Sequence, residues 1–232
     1  ALMVLRAARQ RIGETLNAFE LMSGEALELV ARHQGLKTPL APSAWFVLIE
    51  ASSCLPGLRD VVEALFADVL EREEATDGVI AESERQEGEL WALRESITEA
   101  EAREGRSVKH DVSVPISAIP AFLKDADAAV KAAFPDTRIN AFGHAGDGNI
   151  HYNIVVPPST DGHALNVLVH DIVMRHGGSI SAEHGIGQYR VNELVRCRSQ
   201  AERDLAMRVK RALDPNGIMN PGKVLASSRT AE

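Results

Sequence analysis

The sequence predicts an α+β fold: an antiparallel or mixed sheet covered by helices on one face and built from ferredoxin-like strand–helix units. Three observations predict it. Segments with helical spacing of apolar residues alternate with short strand-like runs along the chain. Within residues 137–156, Asp147-Gly148 separates two apolar runs, a dipeptide suited to the two-residue turns that join antiparallel strands. No linker-like stretch interrupts residues 1–225, so they read as one domain, followed by a short polar tail, 226–232, expected to be disordered.

Leu2, Leu5, Ala8, Arg9 and Ile12 give an amphipathic helix ended by Gly13. Residues 15–22 read as a strand, and Ser23 caps a helix over 24–33 by accepting from its first free amides. After a loop containing Pro39 and Pro42, residues 44–51 (AWFVLIEA) form a continuous apolar run of the kind a central strand shows. Leu58, Val61, Val62, Leu65, Phe66, Val69 and Leu70 make the clearest helix. A short strand is expected at 78–81, one long polar helix at 83–103 and a strand at 110–115. Ile119, Phe122, Ala126, Ala129, Val130 and Ala133 share one face of a helix over 117–134. The hairpin arms are 137–144 and 149–156, with a helix over 164–176 behind them. Leu205, Val209, Ala212 and Leu213 stripe a last helix, 201–213, which Asp214-Pro215-Asn216-Gly217 stops before a rigid turn at Asn220-Pro221-Gly222-Lys223.

With 232 residues, 45% of them hydrophobic, the chain can bury one sizeable core. A net charge of −8 without a basic cluster argues against nucleic acid or an anionic membrane as partner. No segment approaches the roughly 18 apolar residues of a membrane span. Cys54 and Cys197 form no paired motif, so reduced thiols and a cytoplasmic setting are expected. Ala1 already stands within a helical pattern, which suggests a piece of a longer polypeptide.

The chemistry concentrates on the hairpin. If Asp147-Gly148 alone forms the loop, His144 faces His151 and Phe142 faces Asn153. Opposed side chains have Cβ atoms roughly 4.5–5.5 Å apart, so both imidazoles reach one ion. Glu183, in the glycine-flanked segment 177–187, supplies a third ligand, and two histidines with a carboxylate suit Zn, Mn or Fe. A plain polar histidine pair on a sheet is the alternative. Asn153 shares the histidine face and is placed to meet a bound substrate. Gly143, Gly146 and Gly148 have the wrong order for a dinucleotide loop, so a nucleotide cofactor would need another domain. Arg94 and Thr98 lie one helical turn apart, with Lys109 beyond, and on residues alone a solvated charged helix accounts for them. His33, His163, His170 and His176 fall on or beside helix surfaces, and neither they nor His110 receive a role.

HAGDGNIH (144–151), AEHGIG (182–187) and NPGK (220–223), in that order, resemble the C-terminal domain of the flavin-linked D-2-hydroxyacid dehydrogenases. That family includes D-lactate dehydrogenase, the glycolate oxidase flavoprotein subunit and D-2-hydroxyglutarate dehydrogenase. The resemblance implies oxidation of a small 2-hydroxy acid to the 2-oxo acid, with hydride passing to FAD. FAD would be held mainly by an N-terminal domain of the same polypeptide that these residues lack, with Asn220 touching it. Arg94, Thr98 and Lys109 match positions that hold the substrate carboxylate. A divalent metal on His144, His151 and Glu183 would orient the hydroxyl, and His184 would remove its proton. The electron acceptor is not specified, and a homodimer stays open. Two other readings use the same histidines: a metal-dependent hydrolase, and a non-catalytic metal-binding domain.

Overall fold

A computed structural model describes residues 1–225; the tail expected to be disordered, 226–232, lies outside the described residues. Strands β1 (Leu16–Ser23), β2 (Trp45–Ala51), β3 (Ser107–Val108), β4 (Asp111–Ser113), β5 (Arg138–His144) and β6 (Asn149–Val155) form one sheet. Its order is β2-β1-β5-β6-β3, with β4 also on β6, and every pairing is antiparallel. The helices are α1 (Leu2–Ile12), α2 (Gly24–Gln34), α3 (Leu58–Glu71), α4 (Glu84–Glu95), α5 (Ile97–Ala102), α6 (Ile119–Ala133), α7 (Gly162–Arg175), α8 (Val191–Cys197) and α9 (Gln200–Leu213).

The α+β class and the ferredoxin-like unit are both present. The connection β4–α6–β5 leaves β6 between the two strands that it joins, a split βαβ arrangement. After α7, Ser179 pairs with Ser113 in a single antiparallel bridge, where a fourth strand of such a unit would lie.

Alternation along the strands sorts side chains between two layers. Phe19, Leu21, Ala141, Ile150, Tyr152 and Ile154 join α1, α3, α6 and α7 in the larger core. Met22 and Phe142 point the other way, into a smaller cluster with Leu27 and Val30 of α2, Leu93 of α4 and Ile97 and Ala100 of α5. Helices therefore lie on both faces, where the sequence pattern implied one. This also corrects the reading of residues 44–51: β2 is an edge strand, not a central one. Its run is continuously apolar because Val47 and Ile49 meet the larger core while Phe46 and Leu48 meet the smaller.

Local capping follows the sequence at Ser23, whose hydroxyl accepts from Ala26 N–H at 3.3 Å. Three local expectations fail. Residues 78–81 pair with no strand among the described residues. The long polar helix is broken at Ser96 into α4 and α5. The hairpin loop holds four residues, Ala145–Gly148, not two. Pairs are Phe142 with His151 and Asn140 with Asn153, two residues away from the expected register. A two-residue primed turn of the Asn-Gly type requires positive φ at both central residues, and here only Gly148 adopts it (φ +80°). Loop groups bond to neighbouring strands instead: Gly146 N–H to Phe19 O at 3.2 Å, and Val114 N–H to Gly148 O at 3.0 Å.

Beyond α7 the chain packs less deeply. No residue of α9 is buried, and Leu205, Val209 and Leu213 present an apolar stripe to solvent. No described helix is long and apolar enough to cross a membrane.

Candidate functional site

Displacing the register by two residues leaves each side chain on the same face, since the period of a strand is two. His144 and His151 therefore still share a face, as diagonal neighbours with ring centroids 5.9 Å apart. The loop after Ile180 brings Glu183 to them: His144 Nε2 lies 3.4 Å from Glu183 Oε1, and His151 Nε2 lies 4.0 Å from Glu183 Oε2. One ligand atom from each of the three falls within 4.8 Å of the others. Ligands at about 2.0–2.1 Å from a tetrahedral ion stand roughly 3.3 Å apart. The three side chains thus fit a divalent ion after a modest contraction of the cluster.

These residues form the floor of a cleft of about 470 Å³. Arg94, Thr98, Lys109, Asn153 and His184 line it as well, so eight of the nine residues singled out in the sequence converge there. Arg94 from α4 and Thr98 from α5 reach it across the break at Ser96. Asn220 does not line the cleft; it is exposed in the turn after α9 with φ +47°.

What the sequence did not single out is the set of carboxylates beneath. Glu20, on β1 beside His144, accepts from His144 Nδ1 at 2.6 Å and from Arg94 Nε at 2.7 Å. Asp111, paired with His151, accepts through Oδ2 from the backbone N–H groups of Glu183 and His184, each at 2.9 Å. Glu101 of α5 accepts from Asn140 Nδ2 at 2.6 Å and Asn153 Nδ2 at 3.0 Å, with Lys109 Nζ 3.8 Å away. All three are buried; Glu20 and Glu101 each hold groups from two elements, and Asp111 holds the loop that carries Glu183 and His184. A charge isolated in an apolar strand is the one signal that marks Glu20 in the sequence, between Phe19 and Leu21. Arg190, also missed, donates to Gly185 O at 3.2 Å and braces the loop carrying Glu183.

Cationic and carboxylate side chains both line the cleft, and the surroundings of His151 favour its neutral form. Arg94, Lys109 and Arg190 bring positive charge to the rim, and Arg94 stacks 4.9 Å from the Phe142 ring centroid. Burial, and then the Arg94 charge, hold His151 below its usual range, against the pull of Asp111 and Glu183. Burial works to raise the Asp111 carboxyl, but the amides of His184 and Glu183 with the nearby imidazoles outweigh it and keep it low. His184 is exposed, its Nδ1 3.8 Å from Asp111 Oδ2. Its ring centroid lies 6.3 Å from that of His151.

The remaining histidines divide. His33 and His176 pair with carboxylates of other segments, Glu104 and Asp125. His170, expected on a helix surface, is buried instead: its Nδ1 meets Glu193 Oε2 of α8 at 2.8 Å, and its ring stacks edge-on with buried His110.

Comparison with known sequences and structures places these features in context. Residues 1–224 match the family described as FAD linked oxidases, C-terminal domain. The chain is 38% identical to a D-2-hydroxyglutarate dehydrogenase of Stutzerimonas stutzeri, over 97% of this chain and 49% of that protein. It is 40% identical to a D-2-hydroxyglutarate dehydrogenase of Xanthomonas citri, over 90% of this chain and 46% of that protein. The chain thus spans about half the length of these relatives. Among solved structures, a 4-ethylphenol oxidase from Gulosibacter chungangensis, in complex with isoeugenol, has a similar fold: TM-score 0.58, 16% identity, 98% of this chain and 51% of that one.

Proposed function

Because this chain belongs to the family of C-terminal domains of FAD linked oxidases, we propose that it is the substrate- and metal-binding part of a flavin-dependent D-2-hydroxyacid dehydrogenase. The reading has residues 1–225 as one domain and a D-2-hydroxy acid of the 2-hydroxyglutarate, lactate or glycolate type as substrate. The observation that carries it is the convergence of His144, His151 and Glu183 within 4.8 Å on the floor of a cleft that Arg94, Thr98 and Lys109 also line. A metal-dependent hydrolase needs the first trio and has no use for the second set.

His144, His151 and Glu183 would hold the ion, Zn, Mn or Fe, which when bound acts as a Lewis acid on the substrate hydroxyl. FAD would be held by a separate domain, as Gly143, Gly146 and Gly148 do not have the order of a dinucleotide-binding loop, and it supplies the hydride acceptor. Asn220 and the exposed apolar stripe Leu205, Val209 and Leu213 offer a surface for that domain.

The chain's own residues bind, orient and move a proton. Arg94, fixed through Nε by Glu20, directs its terminal nitrogens at the substrate carboxylate, and Lys109 and Thr98 add donors. Asn153 is turned by its bond to Glu101 and meets the substrate from the floor. His184 takes the hydroxyl proton at Nε2, and Asp111, close to its Nδ1, stabilises the imidazolium so formed.

Two measurements test this. Elemental analysis of protein purified without chelator should find about one equivalent of Zn, Mn or Fe, lost in His151→Ala. Calorimetry on the metal-loaded chain should then detect binding of D-2-hydroxyglutarate, D-lactate or glycolate that Arg94→Ala weakens at least about tenfold, the loss of a charge-assisted carboxylate contact. Metal without Arg94-dependent acid binding would favour the hydrolase, and absence of metal from both proteins would remove the metal site.

A further inference from the structure

Glu20 is 2% exposed on the inner strand β1, between β2 and β5, and its two oxygens serve two different parts of the cleft. Oε1 accepts from His144 Nδ1 at 2.6 Å, and Oε2 accepts from Arg94 Nε at 2.7 Å. A carboxylate at this depth is tolerable only with donors on both sides. The arginine Nε–H is always such a donor, and the imidazole Nδ1 facing a carboxylate oxygen must carry its hydrogen. That leaves the lone pair of a neutral His144 on Nε2, the atom 3.4 Å from Glu183 Oε1.

We propose that Glu20 is a positioning residue that joins the two halves of the cleft. Through Oε1 it fixes His144 in the tautomer able to ligate a metal, and through Oε2 it aims Arg94 at the substrate carboxylate. The proposal rests on the reading of His144, His151 and Glu183 as a metal site.

Glu20→Gln isolates the role because it conserves shape and burial. The amide has one acceptor oxygen and one NH2 group, yet both partners here are donors. The guanidinium is permanently charged, so it retains the oxygen and the NH2 turns towards His144. His144 Nδ1 must then accept, its hydrogen moves to Nε2, and the lone pair that faced Glu183 is lost. Glu20→Asp keeps two acceptor oxygens and is expected to restore the original tautomer.

The test uses the 232-residue chain labelled with ¹⁵N-histidine, in chelator at pH 8. Long-range proton–nitrogen correlation reports the His144 tautomer, assigned with His144→Gln. Zinc affinity is measured by competition with a chelating dye. We expect the Nδ1–H form in the parent and in Glu20→Asp, and the Nε2–H form in Glu20→Gln. Zinc affinity should fall about 10–100-fold in Glu20→Gln, the usual effect of losing a group that orients a metal ligand, and largely recover in Glu20→Asp. A stability loss without a tautomer change would mean that Glu20 is merely structural and would overturn the proposal; so would an unchanged zinc affinity in Glu20→Gln. If the parent binds no zinc, the metal reading fails by itself, and the tautomer comparison still decides whether Glu20 sets His144.

Discussion

At the scale of single residues, buried polar groups set both the geometry of the cleft and the acid limit of the fold. His110 is the clearest case for stability. Its Nδ1–H donates to Tyr152 O at 2.8 Å, while burial holds its pKa down to about 4 from an ordinary 6.5. Between those values the unfolded chain carries a proton that the folded chain refuses, so stability falls as pH drops from 6.5 towards 4 and levels off below. The full effect is on the order of 3 kcal/mol. His151 and His170, also held low by burial, act in the same direction. Urea midpoints should therefore decline through this window. In His110→Phe the dependence should be shallower by up to one proton, about 1.4 kcal/mol per pH unit; an unchanged slope would assign the acid sensitivity to other groups.

At the scale of elements, the hairpin shows why parity was legible in the sequence and register was not. The strand period places His144, His151 and Asn153 on one face whichever even register is adopted, so their convergence could be read from the wrong turn. The turn depends on contacts distant in sequence, with Phe19 of β1 and Val114 beside β4, which no dipeptide preference records. The carboxylates beneath the cleft were hidden for the same reason: Glu20 lies 124 residues from His144 and Asp111 lies 72 from Glu183. Conversely, Ser23 was legible because a cap acts within one helical turn. Gly148 tests this account of the loop. Its φ is +80°, and an added Cβ would stand 2.3 Å from Val114 O, a backbone atom with little room to retreat. Gly148→Ala should lower stability by at least about 2 kcal/mol, combining left-handed strain with a backbone clash. Because the loop joins the two histidine strands, zinc affinity should fall as well, beyond what a change in stability alone explains. Retention of both would show that the loop readily adopts another turn.

At the scale of the whole molecule, the cleft lies where separate parts of the chain converge: β1, the hairpin, β4, the α4–α5 pair and the loop after Ile180 all contribute. This follows from the layering. The larger core fixes the sheet from one face, and the smaller core leaves part of the other face uncovered, with the carboxylates of Glu20, Asp111 and Glu101 anchoring what surrounds the opening. An ion held by both hairpin strands and by Glu183 would therefore bind only when the hairpin and the distant loop are folded against each other, and its binding energy becomes folding energy. With free zinc at a hundred times its dissociation constant, linkage adds about 2.7 kcal/mol. For a chain of this size that raises the melting midpoint by about 5–10 °C. His151→Ala should melt at the same temperature with zinc as with chelator. A zinc-induced rise that survived in His151→Ala would place the ion elsewhere on the molecule, whereas a rise confined to the parent would tie the cleft's metal to the cooperative unit.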